Sequence, residues 1–461
     1  LEWLKRAEVG DEESLFEGLD PKDIGAGYTL KVAQSLALHF GELWELETAV
    51  LRVAAVCHPD GIPVALFCKV LGKDEEEVEE ALRGLASRSI VRYDPTVSVH
   101  RLMQSVVRGR MKAAMREVVG KVVAVLAEVF EGAIDPVNMV RQDPYAAHAE
   151  AVVGHAEKMG GVERAGELGN QVGVYLWNRA RYEAALGVLR RAERIDRAAF
   201  GDNHPNVASL VNNIGKMLQE KGDLEGAMKC YREAERIDRA ASGDNHPDVA
   251  RFVNNIGSVL HEKGDLEGAM KCFREAERID RAAFGDNHPE VATDVNNIGE
   301  VLRAKGDLEG AMKCYREAER IDRAALGDNH PNVAIFVNNI GVVLREKGDL
   351  EGAMKCLREA ERIDRATFGD NHPEVATDVN NIGEVLFLKG DREGARAALV
   401  EAFRIWIGTV GGRARLTIDS ANSLKKLGLD PIAMARQIAG EAAAEELREA
   451  MEGGPGGTDQ R

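Results

Sequence analysis

The apolar and polar positions of this chain repeat with a period of 42 residues over much of its C-terminal half. Each unit opens with a His-Pro pair, at His204-Pro205, His246-Pro247, His288-Pro289, His330-Pro331 and His372-Pro373. Apolar residues follow at helical spacing and form a narrow stripe, made in the first unit by Val207, Val211, Ile214 and Leu218. Gly222 and Asp223 then separate this helix (helix A) from a second one (helix B), because glycine favours a helix end and aspartate a helix start. We therefore predict an all-α solenoid, in which each helix pair covers the apolar face of its neighbour.

The side of helix A opposite the apolar stripe carries most of the differences between units, whereas helix B hardly changes. The position of Ser209 is occupied in later units by Arg251, Thr293, Ile335 and Thr377. The position of Gln219 is occupied by His261, Arg303, Arg345 and Phe387. A constant scaffold with one varied stripe favours a surface that recognises different ligand side chains. Neutral drift on a solvated face is the alternative.

Two adjacent asparagines occur in every helix A, at Asn212-Asn213, Asn254-Asn255, Asn296-Asn297, Asn338-Asn339 and Asn380-Asn381. An amide both donates and accepts hydrogen bonds, so a row of amides can pair with the backbone of an extended peptide of any sequence. The same amides could instead bridge adjacent repeats, and the two roles are compatible. We predict that the asparagines bind a peptide, together with the varied residues Arg251, His261, Arg303, Arg345 and Phe387. The histidines of the His-Pro pairs are interpreted as loop or N-cap residues.

The units resemble the kinesin-light-chain type of tetratricopeptide repeat, which shares the motifs H-P-x-V-A and N-N-x-G at this spacing. The resemblance covers Glu167 to about Thr409. It implies a right-handed solenoid whose concave groove is lined by helix A. It also implies that the paired asparagines line this groove and hydrogen-bond the backbone of a bound peptide.

The N-terminal third follows a different pattern. It predicts three helices at residues 46–57, 63–71 and 74–88, followed by two short strands at residues 89–93 and 97–99. A closing helix is predicted at residues 101–112. This order predicts a small winged-helix domain with a short β-wing at residues 45–112. We predict that residues 1–44 are the end of a helical (ARC-like) domain and that residues 113–165 are a helical linker. Residues 166–409 form the repeats, residues 410–451 a degenerate C-terminal repeat or cap, and residues 452–461 a disordered tail.

The segments Cys57-His-Pro-Asp-Gly-Ile-Pro63 and Val99-His-Arg-Leu-Met-Gln104 resemble the winged helix of signal-transducing NTPases with numerous domains (STAND), relatives of NB-ARC and NLR immune proteins. The second segment matches a motif whose histidine contacts the phosphate of bound ADP. The resemblance therefore implies that His100 contacts a nucleotide in a longer parent protein, although Val99 and Arg101 depart from the plant motif. The alternative is that His100 packs between the wing and the helix that follows.

The charge and the missing motifs of the chain disfavour several classes of function. The net charge of −17 disfavours a nucleic-acid partner, because phosphate backbones repel an acidic chain. No G-x-x-x-x-G-K-[ST] phosphate loop is present, and no Cys/His cluster has zinc spacing. We therefore expect no catalysis, no metal and no cofactor in this chain, with ADP or ATP bound only in the full-length parent. The chain begins with Leu1, and we expect it to be part of a longer cytoplasmic protein that does not enter a membrane.

Three functions compete on this evidence. The first is a ligand sensor of an NLR-like STAND ATPase in signalling or defence, whose repeats bind a peptide or protein and whose winged helix signals to an upstream nucleotide-binding domain. The second is a DNA-binding regulator, favoured by the basic segment Arg83–Arg116 and disfavoured by the six carboxylates in Asp74–Glu80. The third is a cargo adaptor like kinesin light chain, which would not need the winged helix.

Overall fold

A computed structural model describes residues 43–111, 114–132, 141–179, 181–409 and 415–453. The predictions for residues 1–42, for Lys112 and for the tail from residue 454 lie outside the described residues. The chain divides into two compact units, residues 1–241 and 242–461. Among the described helices, none combines the length and apolarity that a membrane crossing requires.

The N-terminal elements appear in the predicted order but are shorter. They are α1 (Glu45–Ala54), α2 (Val64–Leu71), α3 (Glu75–Ser87), β1 (Arg92–Tyr93), β2 (Val97–Ser98) and α4 (Arg101–Arg110). The strands pair antiparallel, with Arg92 opposite Ser98 and Tyr93 opposite Val97. The first strand begins later than predicted because Ser89 has a φ of 57°, a left-handed conformation that ends the preceding helix instead of extending the chain.

The rest of the first unit is helical. It contains α5 (Met115–Val129), a 3-10 turn (Asp143–Tyr145), α6 (Ala146–Lys158), α7 (Ala165–Asn178), α8 (Tyr182–Phe200), α9 (Pro205–Glu220) and α10 (Leu224–Ser242), the last of which ends one residue into the second unit. Helices α7 and α8 form a complete pair that precedes the first His-Pro unit.

The second unit continues the pairs. They are α11 (Pro247–Glu262) with α12 (Leu266–Phe284), α13 (Pro289–Ala304) with α14 (Leu308–Leu326), α15 (Pro331–Glu346) with α16 (Leu350–Phe368), and α17 (Pro373–Leu388) with α18 (Arg392–Thr409). Three shorter helices follow, α19 (Arg415–Lys426), α20 (Pro431–Ala439) and α21 (Glu441–Gly453). Their apolar residues pack with the end of α18 around the buried Phe403 and Leu447.

Local signals set the ends of each pair as predicted. The side chain of His204 is an N-cap whose Nδ1 accepts a hydrogen bond from the backbone N–H of Asn206 at 3.2 Å, and the other four His-Pro histidines do the same. Gly222 has a φ of 81°, and Asp223 Oδ1 accepts from the N–H of Gly226 at 2.9 Å. Gly201, which ends α8, has a different conformation, because its φ of 87° is combined with an extended ψ of 169°.

Glycine allows helix A to pack closely on helix B. A Cβ placed on Gly299 of α13 would lie 2.7 Å from Cε1 of Tyr315 in α14. The equivalent glycine of each other repeat lies equally close to the tyrosine, phenylalanine or leucine at the equivalent position of its helix B. Tyr315 is fully buried, so the ring has no space into which it can withdraw.

The substitution Gly299→Ala is expected to lower the free energy of unfolding by about 1–3 kcal/mol, the usual effect of an added methyl group in a packed core. Gly187→Ala in α8 is the matched control, because a Cβ there meets no atom within 4 Å. In open helical space alanine stabilises by roughly 0.5–1 kcal/mol relative to glycine. Thermal unfolding followed by circular dichroism measures both. Equal effects of the two substitutions would contradict the close packing at Gly299.

Candidate peptide-binding site

The buried arc of helix A is wider than the sequence predicted. Leu210 and Met217, which lie outside the predicted stripe, are buried, whereas Leu218 is only half-buried. With Ala208, Asn212 and Gly215, which are also buried, the arc spans about 220° of the helix. Helix A contacts its own helix B and also the helix B of the preceding repeat, as α13 does with α14 and α12. The candidate surface is the remaining strip, which carries the second asparagine of each pair and the positions equivalent to 209, 216 and 219.

The asparagines form a ladder of amide hydrogen bonds between adjacent repeats. In the first unit Asn213 Nδ2 donates to Asn170 Oδ1 at 2.7 Å. In the second unit three rungs of 2.9 Å each join the second asparagine of one repeat to the first asparagine of the preceding repeat, Asn297 to Asn254, Asn339 to Asn296 and Asn381 to Asn338. Asn296 also donates to Asn297 at 3.3 Å, so neighbouring rungs are connected. The structure thus brings the predicted pairs together, and the bridging role that the sequence left open is present.

The first rung uses a residue that the sequence analysis missed. Asn170 lies 42 residues before Asn212, at the equivalent position of α7. Its neighbour is Gln171 instead of asparagine, so the search for paired asparagines passed over it. The period alone would have identified it.

Most varied residues of the strip are already engaged with protein groups. Arg303 donates to Glu300 at 3.0 Å and to Glu346 of the next repeat at 3.1 Å. Arg345 donates to Glu384 of the next repeat. Tyr231 Oη donates to Gln219 Oε1 at 2.9 Å. These contacts hold the charged part of the strip in a defined arrangement.

Arg251 and His261 occupy the strip at the start of the second unit. Arg251 donates to Asp248 at 2.9 Å and stacks on the ring of Phe252, with its Cζ 4.8 Å from the ring centroid. His261 is half-buried near the C-terminal end of α11.

On α15 and α17, towards the C-terminal end of the repeats, the strip carries large apolar side chains beside its charged ones. Ile335 is 44% exposed and Phe387 is 49% exposed, and Val342 lies on the same face of α15 as Ile335. Contiguous exposed apolar patches mark contacts with a partner, whereas single exposed apolar side chains are common on protein surfaces.

Buried carboxyl pairs lie behind the strip and were not predicted. Asp294 of α13 faces Asp280 of α12, and Asp378 of α17 faces Asp364 of α16, each pair within hydrogen-bonding contact. Burial and the facing carboxyl raise the pKa of Asp294 and of Asp378 to about 9. Burial raises the pKa of Asp280 and of Asp364 to about 6. Each pair therefore shares one proton at neutral pH.

His100, the residue matched to a nucleotide contact, is exposed at the N-terminus of α4. Its Nδ1 accepts a hydrogen bond from the backbone N–H of Leu102 at 3.2 Å, which makes it the N-cap of this helix. The structure therefore gives His100 a capping contact with α4, and its nucleotide role stays a prediction.

Comparison with known proteins identifies the repeats. A family model described as tetratricopeptide repeat matches residues 167–240, 209–282, 248–324, 291–366 and 332–408. Among curated proteins, none matches this sequence.

Several solved structures are similar to the chain. BtubC (BKLC) from P. vanneervenii is 22% identical with a TM-score of 0.40, over 51% of this chain and 92% of that one. A signal transduction ATPase with numerous domains and a tetratricopeptide repeat sensor from Pyrococcus horikoshii is 14% identical with a TM-score of 0.44, over 98% of this chain and 70% of that one. A protein described as a kinesin light chain from Podosopora anserina is 16% identical with a TM-score of 0.37, over 45% of this chain and 98% of that one.

Proposed function

The chain belongs to the tetratricopeptide repeat family, and we propose that its helix A strip binds an extended segment of another polypeptide. Repeats of this family serve protein–protein interaction. The observation that carries the proposal is the amide ladder, which is constant from repeat to repeat while the residues beside it vary. A constant set of amides suits the peptide backbone, which is the same for every sequence, and the varied residues suit its side chains.

The ladder keeps hydrogen-bonding capacity after its rungs are formed. A side-chain amide has two N–H donors and an oxygen with two lone pairs. Within the ladder, Asn297 donates one N–H to Asn254 and accepts one bond from Asn296. One donor and one lone pair of Asn297 therefore remain for a ligand, so the bridging role and the binding role do not compete. The rungs also fix the orientation of each amide before a ligand arrives, which lowers the entropy lost on binding.

The apolar side chains of the strip on α15 and α17 suggest which side chains the ligand carries. Ile335, Val342 and Phe387 can each remove apolar surface from water only if a partner covers them, and the charged positions nearby are already paired with each other. We propose that the bound segment places apolar side chains over α15 and α17.

We further propose that the elements from α1 to α4 are a winged helix that transmits ligand binding to a nucleotide-binding domain of a longer parent, as in STAND proteins. The order of three helices, a hairpin and a fourth helix supports this proposal. DNA recognition is less well supported, because α3 starts with the cap Asp74 and carries Glu75, Glu76 and Glu77 in its first turn. That end of the helix would repel a phosphate backbone.

Peptides selected from a displayed random library against the full chain provide the test. We expect Ile335→Asp to weaken the selected peptides at least about tenfold, since burying an isoleucine side chain is worth about 1.5–3 kcal/mol. Thermal stability should change little, because the side chain is exposed. Leu326→Asp is the matched control, since Leu326 is 40% exposed but lies at the end of α14, off the strip. The proposal is wrong if both substitutions weaken the peptides equally, or if neither does.

A further inference from the structure

Part of the basic segment Arg83–Arg116, which peptide binding does not use, lines a cavity in the first unit. The cavity has a volume of about 470 Å³ and lies between α4, the start of α5, α6 and the turn that follows α1. A second space of about 420 Å³ adjoins it and is lined by Arg108, Met115, Arg116 and Met159. Ligand pockets for small molecules commonly have volumes of a few hundred Å³.

The charge of the first cavity is opposite to that of the chain. Its lining includes Arg101, Arg108 and Lys158, with His58 and His155, and among the described residues that line it none is Asp or Glu. The whole chain has a net charge of −17. Cations collected in a concave site of an acidic protein focus an attractive field on a small anion.

The floor of the cavity is held in place by hydrogen bonds between α4 and the C-terminal end of α1. Gln104 Nε2 donates to the carbonyl oxygens of Ala54 at 2.8 Å and Cys57 at 3.0 Å. Arg108 donates from Nη1 to the carbonyl oxygen of Ala55 and from Nη2 to Ser105 Oγ, both at 2.8 Å. The guanidinium of Arg108 therefore has a fixed orientation. Burial raises the pKa of the Cys57 thiol to about 12, so this part of the wall is neutral.

The rim is formed by two long cationic side chains on opposite elements. Arg101 is on α4 and Lys158 is at the end of α6, and both are exposed. Neither makes a hydrogen bond or an ion pair with another described residue. They are therefore available to close over a ligand that has entered between them.

We propose that this cavity binds a small phosphate-bearing anion, with Arg108 as the preorganised contact at its base and Arg101 and Lys158 as contacts at its rim. Guanidinium groups match the geometry of phosphate oxygens, and an ammonium group adds a mobile point charge. Because the cavity is bounded by α4 on one side and α6 on the other, the anion would cross-link the N-terminal elements to the helix that precedes the first repeat. The cavity has the size of a small-ligand site and is set between helices of one unit, which favours a free anion over the backbone of a duplex.

The test is titration of the full chain with pyrophosphate, inorganic phosphate and a short DNA duplex by calorimetry, against chloride at equal ionic strength. We expect saturable binding of pyrophosphate, tighter than that of phosphate because it can contact floor and rim together. The double substitution Arg101→Gln with Lys158→Gln should weaken pyrophosphate at least about tenfold, the loss expected for charge-assisted hydrogen bonds. The matched control is Arg92→Gln with Lys69→Gln, which removes the same charges from exposed positions of the same unit outside the cavity.

Unchanged pyrophosphate affinity in the control and weakened affinity in the cavity variant support the site. Three results overturn it: no binding above the chloride blank, equal weakening in both double variants, or binding of the duplex without binding of pyrophosphate. If the cavity variant loses its helical circular dichroism, the single substitution Lys158→Gln on the exposed rim replaces it, with Lys69→Gln as its control.

Discussion

Replacing Asp294 and Asp378 together by asparagine is expected to raise the thermal midpoint of the chain at alkaline pH and to leave it nearly unchanged at acid pH. Both residues are at most 2% exposed, and each faces a second buried aspartate across the helix A to helix B contact. An asparagine can donate to the facing carboxylate at any pH, whereas an aspartate can do so only while it keeps its proton.

The direction of this pH dependence of stability follows from the raised pKa values of the two aspartates. In the unfolded chain an aspartate has a pKa of about 3.9, whereas burial and the facing carboxyl raise the pKa of Asp294 in the folded chain to about 9. Between these values the folded state holds more protons than the unfolded state, so stability is greatest at low pH and declines as the pH rises through the folded pKa. The decline is up to about 1.4 kcal/mol per pH unit for each pair. Near pH 8 we expect each asparagine to stabilise the fold, because the folded chain then no longer has to take up a proton that the unfolded chain has already lost.

The chain provides a matched control for this experiment. Asp322 of α14 occupies the position of Asp280 one repeat later, but the residue that corresponds to Asp294 is Phe336. Asp322 is fully buried and burial raises its pKa, but a hydrogen bond with the side chain of Asn332 on the next helix A opposes this shift. Asp322→Asn should therefore give a smaller gain at alkaline pH. Thermal unfolding across the pH range measures all three proteins, and an equal gain from Asp322→Asn would show that burial alone, not pairing, sets the effect.

Features determined by neighbours along the chain were predictable. The caps at His204, Gly222 and Asp223 need only the local backbone, and their sequence signals match the structure. The 42-residue period likewise located every helix pair from Pro205 onward. The N-terminal elements were found in order, and their ends shifted where a single backbone angle, that of Ser89, decided the boundary.

Features that depend on packing between helices were missed or were predicted only in part from the sequence. The predicted stripe of helix A was too narrow because it assumed that the helix packs on one neighbour. In the structure helix A also contacts a second helix, and Leu210 is buried. The pairing of Asp294 with Asp280 joins residues on different helices, although aspartate at a position held elsewhere by Leu210, Phe252 and Phe336 was a visible signal. The asparagine pairs were found, but only the stacking of repeats shows that they bond to each other.

The asparagine ladder therefore needs an experiment that separates binding from bridging. We expect Asn297→Ala with Asn339→Ala to weaken selected peptides by several kcal/mol, at about 1 kcal/mol for each hydrogen bond lost and more where a neighbouring buried amide is left unpaired. The same variant removes two rungs, to Asn254 and to Asn296, so its thermal midpoint should also fall.

A second pair of asparagines makes the control. Asn287 and Asn329 each accept one hydrogen bond from an arginine of helix B, from Arg320 at 3.1 Å and from Arg362 at 2.9 Å, but they lie in the exposed loops before helix A. Asn287→Ala with Asn329→Ala thus removes two side-chain hydrogen bonds of asparagine outside the strip. We expect it to leave peptide affinity within about twofold, because none of its lost groups faces the ligand. If the ladder variant retains its affinity while its midpoint falls, the amides serve only as bridges, and the peptide must bind through the varied residues alone. If both variants lose affinity in proportion to their loss of stability, binding depends on the rigidity of the repeats and not on the amide groups.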